Sequence, residues 1–282
     1  MKQSAAEILR EYGPFEGVED VHGVTWDGEN VWFATTGKLH ALDPSSGATV
    51  RSLDVAAHAG TAFDGKHLFQ IADDRIQKID PQTGRVLSTI PAPGGGNDSG
   101  MTWAEGSLWV GQYRERKIHQ IDPENGKILR TIESNRFVTG VTFVEGSLWH
   151  GTWEGDESEL RRIDAKTGEV LESLKLPAGI GVSGLESDGG ERFFCGGGSS
   201  GRVRAVRQPW MTQSVCGCRS SIAYQLAFEP TQPCFCFFGK NGESSVAIAI
   251  DIHCENDPFA SDQNSEEPQL RQNWRKTPSD DS

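Results

Sequence analysis

The sequence predicts an all-β chain folded as a five-bladed β-propeller. The ring is closed by the N-terminal strand, and a C-terminal extension follows it. Three observations lead there: a Gly-led phrase recurs five times, a turn phrase that is Asp-Pro in three copies and Asp-Ala in the fourth recurs four times, and a spare strand stands at the N-terminus. The leading glycines are Gly23, Gly60, Gly100, Gly140 and Gly184, a spacing of roughly 40 residues that suits one blade per unit.

Each Gly-led copy runs through a short apolar segment and a tight turn to an apolar–aromatic pair. These pairs are Val31-Trp32, Leu68-Phe69, Leu108-Trp109, Leu148-Trp149 and Phe193-Phe194. The five aromatics Trp32, Phe69, Trp109, Trp149 and Phe194 are expected as core between blades. The second phrase starts at Asp43-Pro44, Asp80-Pro81, Asp122-Pro123 and Asp164-Ala165, and ends on Gly47, Gly84, Gly126 and Gly168. It reads as a turn: the Asp side chain bonds backbone N–H groups just ahead, Pro presets φ, and Gly takes φ > 0. Flanking segments such as Lys117–Ile121 alternate polar and apolar residues, which is strand patterning. Four short strands per unit is the arithmetic of a propeller blade.

The fifth unit lacks its outer strand. The segment from Ala6 to Tyr12 precedes the first leading Gly as Val86–Ile90 precedes Gly100, so it is expected to complete the last blade. Closure removes the open edge strands of a sheet stack. The domain expectation is a propeller over residues 1–209 and a mostly disordered, polar, Cys-containing tail over 210–282. The tail carries Cys216, Cys218, Cys234, Cys236 and Cys254, with apolar patches at 222–228 and 246–252 that suit an adhering strand or hairpin. A single residue between paired cysteines is too few for a usual structural zinc site. In the body Cys195 stands alone, which excludes an internal disulfide there.

The 282 residues carry a formal net charge of −13 and are 36% hydrophobic. No basic stripe marks a nucleic-acid binder, and the acidic balance disfavours anionic membranes. The N-terminus has no signal-like apolar core, and no apolar run reaches about 18 residues. A cytoplasmic monomer that binds neither nucleic acid nor membrane is expected.

Chemistry is expected on one face, where loops entering each inner strand and loops joining second to third strands surround the channel mouth. His22, His58, Asp98, Ser99, Arg136, Thr139 and Ser183 precede leading glycines there. Thr35-Thr36, Asp73-Asp74, the loop from Gln112 to Glu115, and the loop from Thr152 to Asp156 join them. Glu186 is the candidate catalytic acid/base. Trp153, His22, His58, Asp98, Tyr113, Arg136 and His150 are the candidate substrate-binding residues. Two imidazoles and a carboxylate at 22, 58 and 98 would also suit a divalent ion, but neither a metal nor a cofactor is assigned. The glycine runs Gly94–Gly96 and Gly196–Gly198 lack phosphate-loop spacing.

The phrase from Leu160 through Ile163-Asp164 to Val170, with Trp153 ahead of it, resembles the five-bladed glutamine cyclotransferases of plant and bacterial type. The resemblance covers the whole propeller, largely as blade pattern. It implies an acyltransferase that converts N-terminal glutamine to pyroglutamate with loss of ammonia. Trp153 fits that family's tryptophan after the fourth inner strand. Elsewhere the chain departs. Val21-His22-Gly23 stands where the family has Thr-Gln-Gly, and His58-Ala59-Gly60 stands in place of Gly-Glu-Gly. Thr139-Gly140-Val141-Thr142 replaces Asn-Glu-Leu-Glu, and Cys195-Gly196-Gly197 replaces Thr-Gly-Lys. The family's proton-shuttling carboxylates are therefore absent from their usual places. The alternatives are a non-catalytic propeller that binds a small molecule or protein partner, and a divalent-metal-dependent lactonase or lyase.

Overall fold

A computed structural model of the chain describes residues 2–209, 235–237 and 247–249. The chain divides into two units, Met1–Ser214 and Val215–Ser282. In the second, β22 (Phe235–Phe237) pairs antiparallel with β23 (Ala247–Ala249). The patch at 222–228, Cys216, Cys218, Cys234 and Cys254, and the disorder expected of the tail lie outside the described residues.

The first unit is a five-bladed β-propeller, as the repeats predict. The chain opens with β1 (Lys2–Ala5) and β2 (Ile8–Tyr12). Blade one is β3 (Val24–Trp26), β4 (Val31–Thr35), β5 (Lys38–Leu42) and β6 (Thr49–Asp54). Blade two is β7 (Thr61–Phe63), β8 (Leu68–Ala72), β9 (Arg75–Ile79) and β10 (Val86–Pro91). Blade three is β11 (Asp98–Ala104), β12 (Ser107–Gln112), β13 (Lys117–Ile121) and β14 (Ile128–Glu133). Blade four is β15 (Val141–Val144), β16 (Ser147–Glu154), β17 (Glu157–Ile163) and β18 (Val170–Lys175). Blade five is β19 (Gly184–Ser187), β20 (Arg192–Gly196) and β21 (Val203–Arg207), and β2 is its antiparallel outer strand. The N-terminal strand thus closes the ring.

One pairing went unforeseen. β1 lies parallel on β18 as a fifth strand of blade four, with Lys2 opposite Glu172 and Ala5 opposite Lys175. Its exposed polar residues carry no period-2 signal. Residues 2–12 therefore strap two neighbouring blades: the Ala6 N–H donates to the Lys175 carbonyl, and the Arg207 N–H donates to the Glu7 carbonyl.

The Asp-Pro turns work as their residues dictate. In each, the Gly N–H donates back to the Asp carbonyl, at 2.8 or 2.9 Å. The Asp side chain accepts the N–H two residues on (Asp43 from Ser45, Asp80 from Gln82, Asp122 from Glu124, Asp164 from Lys166).

The leading glycines have a harder reason. A Cβ built on Gly23 would sit closer than 3.0 Å to the backbone around Gly60, and one on Gly60 would meet the backbone around Gly100. Gly100 meets the strand of Gly140 in the same way, Gly140 meets that of Gly184, and Gly184 returns to Gly23. Five inner strands touch backbone to backbone around the axis, and no side chain fits between them.

Farther out, aromatics join the blades. Phe69 stacks on Trp103 at 5.6 Å, Trp109 on Phe143 at 6.1 Å and Phe194 on Trp26 at 5.7 Å, while Trp149 meets Phe193 tilted at 4.9 Å. Trp32 shares a cluster with Phe63 across the remaining seam. All five predicted aromatics are buried.

Candidate functional site at the channel mouth

Two residues beyond each leading Gly, the inner strands carry Thr25, Ala62, Thr102, Thr142 and Glu186. The structure brings four of these together on the axis. Glu186 Oε2 accepts from the Thr25 hydroxyl at 3.1 Å and the Thr102 hydroxyl at 3.2 Å. Oε1 accepts from the Thr142 hydroxyl and from the Ser187 N–H at 3.0 Å. One carboxyl of blade five thus binds blades one, three and four. Burial pushes its pKa up to about 7 against the pull of these four donors. The three threonines are at most 2% exposed, and Glu186 is 8% exposed. They plug the channel and form the floor of the mouth. The sequence singled out Glu186 but not its partners, although aligning the second residue after each leading Gly shows Glu standing in a Thr position.

Above this floor the mouth has two halves. The polar half belongs to blades one to three. Asp98 lies two residues before Gly100, mostly enclosed by the turn from Gly94 to Asn97. It accepts the Gly94 N–H at both oxygens, 3.0 and 2.9 Å, and is hydrogen-bonded by the Gln112 side chain. Burial outweighs these donors and raises its pKa to about 6. His58 lies two residues before Gly60, and its Nδ1 is 3.1 Å from Asp73 Oδ1 and 3.2 Å from the Asp73 backbone nitrogen. The half-buried His22 feels the charge of His58, and burial first, then His58, lowers its pKa while Asp20 opposes. The loop carrying Asp98 leans on the loop of Asp73: the Ala92 N–H donates to the Asp74 carbonyl at 2.9 Å, and a Cβ on Gly96 would sit 3.9 Å from the Asp73 carbonyl oxygen.

The aromatic half belongs to blades three to five. The Trp153 ring lies on the backbone of Gly181 and Gly198, where a Cβ on either would come closer than 3.0 Å to its carbons. Its Nε1 donates to the Gly155 carbonyl at 3.0 Å. The Tyr113 hydroxyl donates to the Trp153 carbonyl at 3.1 Å, and its ring lies 4.6 Å from that of Phe137. Arg116 covers the other ring contact of Phe137, at 4.8 Å. Arg136 Nη1 donates to Glu154, which also accepts the Phe137 N–H. The guanidinium is therefore engaged by protein.

His150 is not brought to the mouth. It is 0% exposed on β16, with Nδ1 3.0 Å from the Gly151 carbonyl, and burial lowers its pKa to about 4. The sequence places it at the end of the Leu148-Trp149 phrase, but only packing between blades decides that it faces inward. Nor do His22, His58 and Asp98 form a metal cradle. Among the described residues no three His, Cys, Asp or Glu side chains are arranged to hold an ion. Asp73 and Gln112 were legible only as loop residues of this face, and their partnerships with His58 and Asp98 require the fold.

Comparison with known proteins locates this architecture. A family model described as outer membrane protein assembly factor BamB matches residues 72–208, from blade two through blade five. Glutaminyl cyclase from Myxococcus xanthus superposes with a TM-score of 0.62 at 17% identity, over 73% of this chain and 97% of that one. The likeness is one of fold. Hydrazine synthase from Kuenenia stuttgartiensis gives a TM-score of 0.43 at 17% identity, over 73% of this chain and 62% of that one. No curated protein matches in sequence. The family model and the glutaminyl cyclase superposition agree with a repeat-built β-propeller.

Proposed function

We propose that the channel mouth is the active site of a glutaminyl-cyclase-like acyltransferase that closes an N-terminal glutamine to pyroglutamate. The observation that carries this reading is Asp98, a carboxyl with pKa pushed to about 6, set in the mouth of a ring that resembles a glutaminyl cyclase in fold. In the reaction the α-amine attacks the side-chain carboxamide carbon, a C–N bond forms, and the bond to the amide nitrogen breaks. That nitrogen needs a proton to leave as ammonia. Protonated Asp98 can supply it, because a general acid works best when its pKa lies near the operating pH. Glu186 is less suited, since four protein donors occupy its oxygens. Trp153 would wall the peptide N-terminus on the aromatic side.

The test is incubation of the purified full chain with a peptide beginning in glutamine, with ammonia release and the matching mass loss as readouts. Turnover lost in Asp98→Asn and kept in Glu186→Gln supports the reading; a folded chain without turnover refutes it. One observation favours a non-catalytic binding face instead: Arg136, Tyr113 and Trp153 already bond protein groups. Titration of the same peptide without turnover, followed by tryptophan fluorescence, would support that alternative. The metal-dependent lactonase reading draws no support from the ligand geometry.

A further inference from the structure

Asp73 is held at φ 54°, in the left-handed region that glycine favours. The corresponding turn of blade four has a glycine at this position, Gly155 at φ 62°, and the turn of blade three carries Arg116 at φ 56°. A non-glycine residue in that region costs free energy, and such outliers gather at functional sites. Here the outlier contacts a histidine twice. Asp73 Oδ1 offers an acceptor and the Asp73 N–H offers a donor, at 3.1 and 3.2 Å from the same His58 Nδ1. When Nδ1 carries a proton it donates to the carboxylate. When Nδ1 is bare it accepts the backbone N–H. Neither state leaves the nitrogen without a partner or requires the ring to turn. A side chain that gains and loses a proton within a catalytic cycle needs such support.

We propose that His58 is the catalytic base of the mouth and that Asp73 is its positioning residue. This rests on the cyclase reading above and completes its proton account. His58 and Asp98 enter the mouth at the same register, two residues before the leading glycines of adjacent blades, and their supporting loops touch. With Nδ1–H on the Asp73 carboxylate, Nε2 takes the proton released by the attacking amine. Asp98 gives its proton to the departing nitrogen. The imidazolium then returns its proton to Asp98 through solvent, and the cycle closes with ammonia as the only small product.

Asp73→Gly is the decisive variant, because it keeps the backbone N–H, suits the positive φ, and removes only the carboxylate. Its melting temperature is expected to equal or exceed that of the wild type, while kcat falls about tenfold with little change in KM. His58→Gln should lower kcat about a hundredfold. Independently of turnover, ¹⁵N NMR of the His58 ring at alkaline pH should show the Nδ1–H tautomer in the wild type and the Nε2–H tautomer in Asp73→Gly. An unchanged tautomer ratio overturns the clamp. Unchanged kcat in Asp73→Gly, with an active wild type, overturns the catalytic role. A wild type inactive on glutamine peptides sinks the cyclase reading, and the NMR result then decides the clamp alone.

Discussion

Two carboxyls sit on the axis side of this propeller, and the protein treats them differently. Glu186, in the channel, is met by three hydroxyls and one N–H from four blades. Asp98, at the mouth, is met by a single backbone N–H and one amide side chain. Burial raises both, to about 7 and about 6. The first is saturated with donors and joins blades. The second keeps acceptor capacity toward the mouth. A perturbed carboxyl marks a functional site only when its hydrogen-bonding capacity is not already consumed by the fold.

Substitutions can break this contrast, and the axial glycine ring between the two groups gives the largest expected effect. Gly140→Ala forces a methyl into the backbone of blade five, where nothing can yield. A loss of about 3 kcal/mol in denaturant unfolding is expected. Gly146→Ala is not a fair control, because its φ of 74° adds strain of its own. Next comes the mouth. Asp98→Asn should lower kcat about a hundredfold, close to 2.7 kcal/mol in activation free energy. The proposed reaction uses the acid form, so wild-type kcat should fall as pH rises through about 6. That limb should vanish from the variant's pH profile.

The hub follows. Glu186→Ala leaves four donors without their acceptor and should cost about 2 kcal/mol at pH 5. The pH dependence gives a sharper measurement. The folded pKa of about 7 lies above the ordinary 4.5, so the fold binds the proton more tightly than the unfolded chain. The contribution of this group is complete at low pH and is lost as pH rises through about 7. Thermal melts from pH 5 to pH 8 should show that decline in the wild type and less of it in Glu186→Gln, with turnover retained. If Glu186→Gln instead abolishes turnover in a well-folded chain, the hub and the mouth have exchanged roles. The smallest effect is expected at the wall. Trp153→Ala should raise KM by a factor of about 5, the worth of one aromatic contact of about 1 kcal/mol.

The blade pattern was open to reading because its determinants are local. Asp43, Asp80, Asp122 and Asp164 fix turns through bonds to residues two or three positions away, and such contacts are written in the sequence itself. The mouth was readable as a set of loops, since the blade grammar sorts turns onto two faces. The pairing of His58 with Asp73, the bedding of Trp153 on Gly181 and Gly198, and the engagement of Arg136 by Glu154 were not. The strap β1 was hidden for the opposite reason: its four exposed residues, three of them polar, carry no periodicity, and their place comes from the free edge of β18.

By itself, then, the sequence determined the repeat, the four-stranded unit, the count of five and the closing strand, all of which rest on short-range backbone preferences and alternating polarity. The tertiary structure alone decided that the five leading glycines touch around the axis, that Glu186 spans the channel to three threonines, and that His150 is sealed while Asp98 is not. Those outcomes depend on which blades converge, and residues about 40 to 160 positions apart become neighbours only when the ring closes.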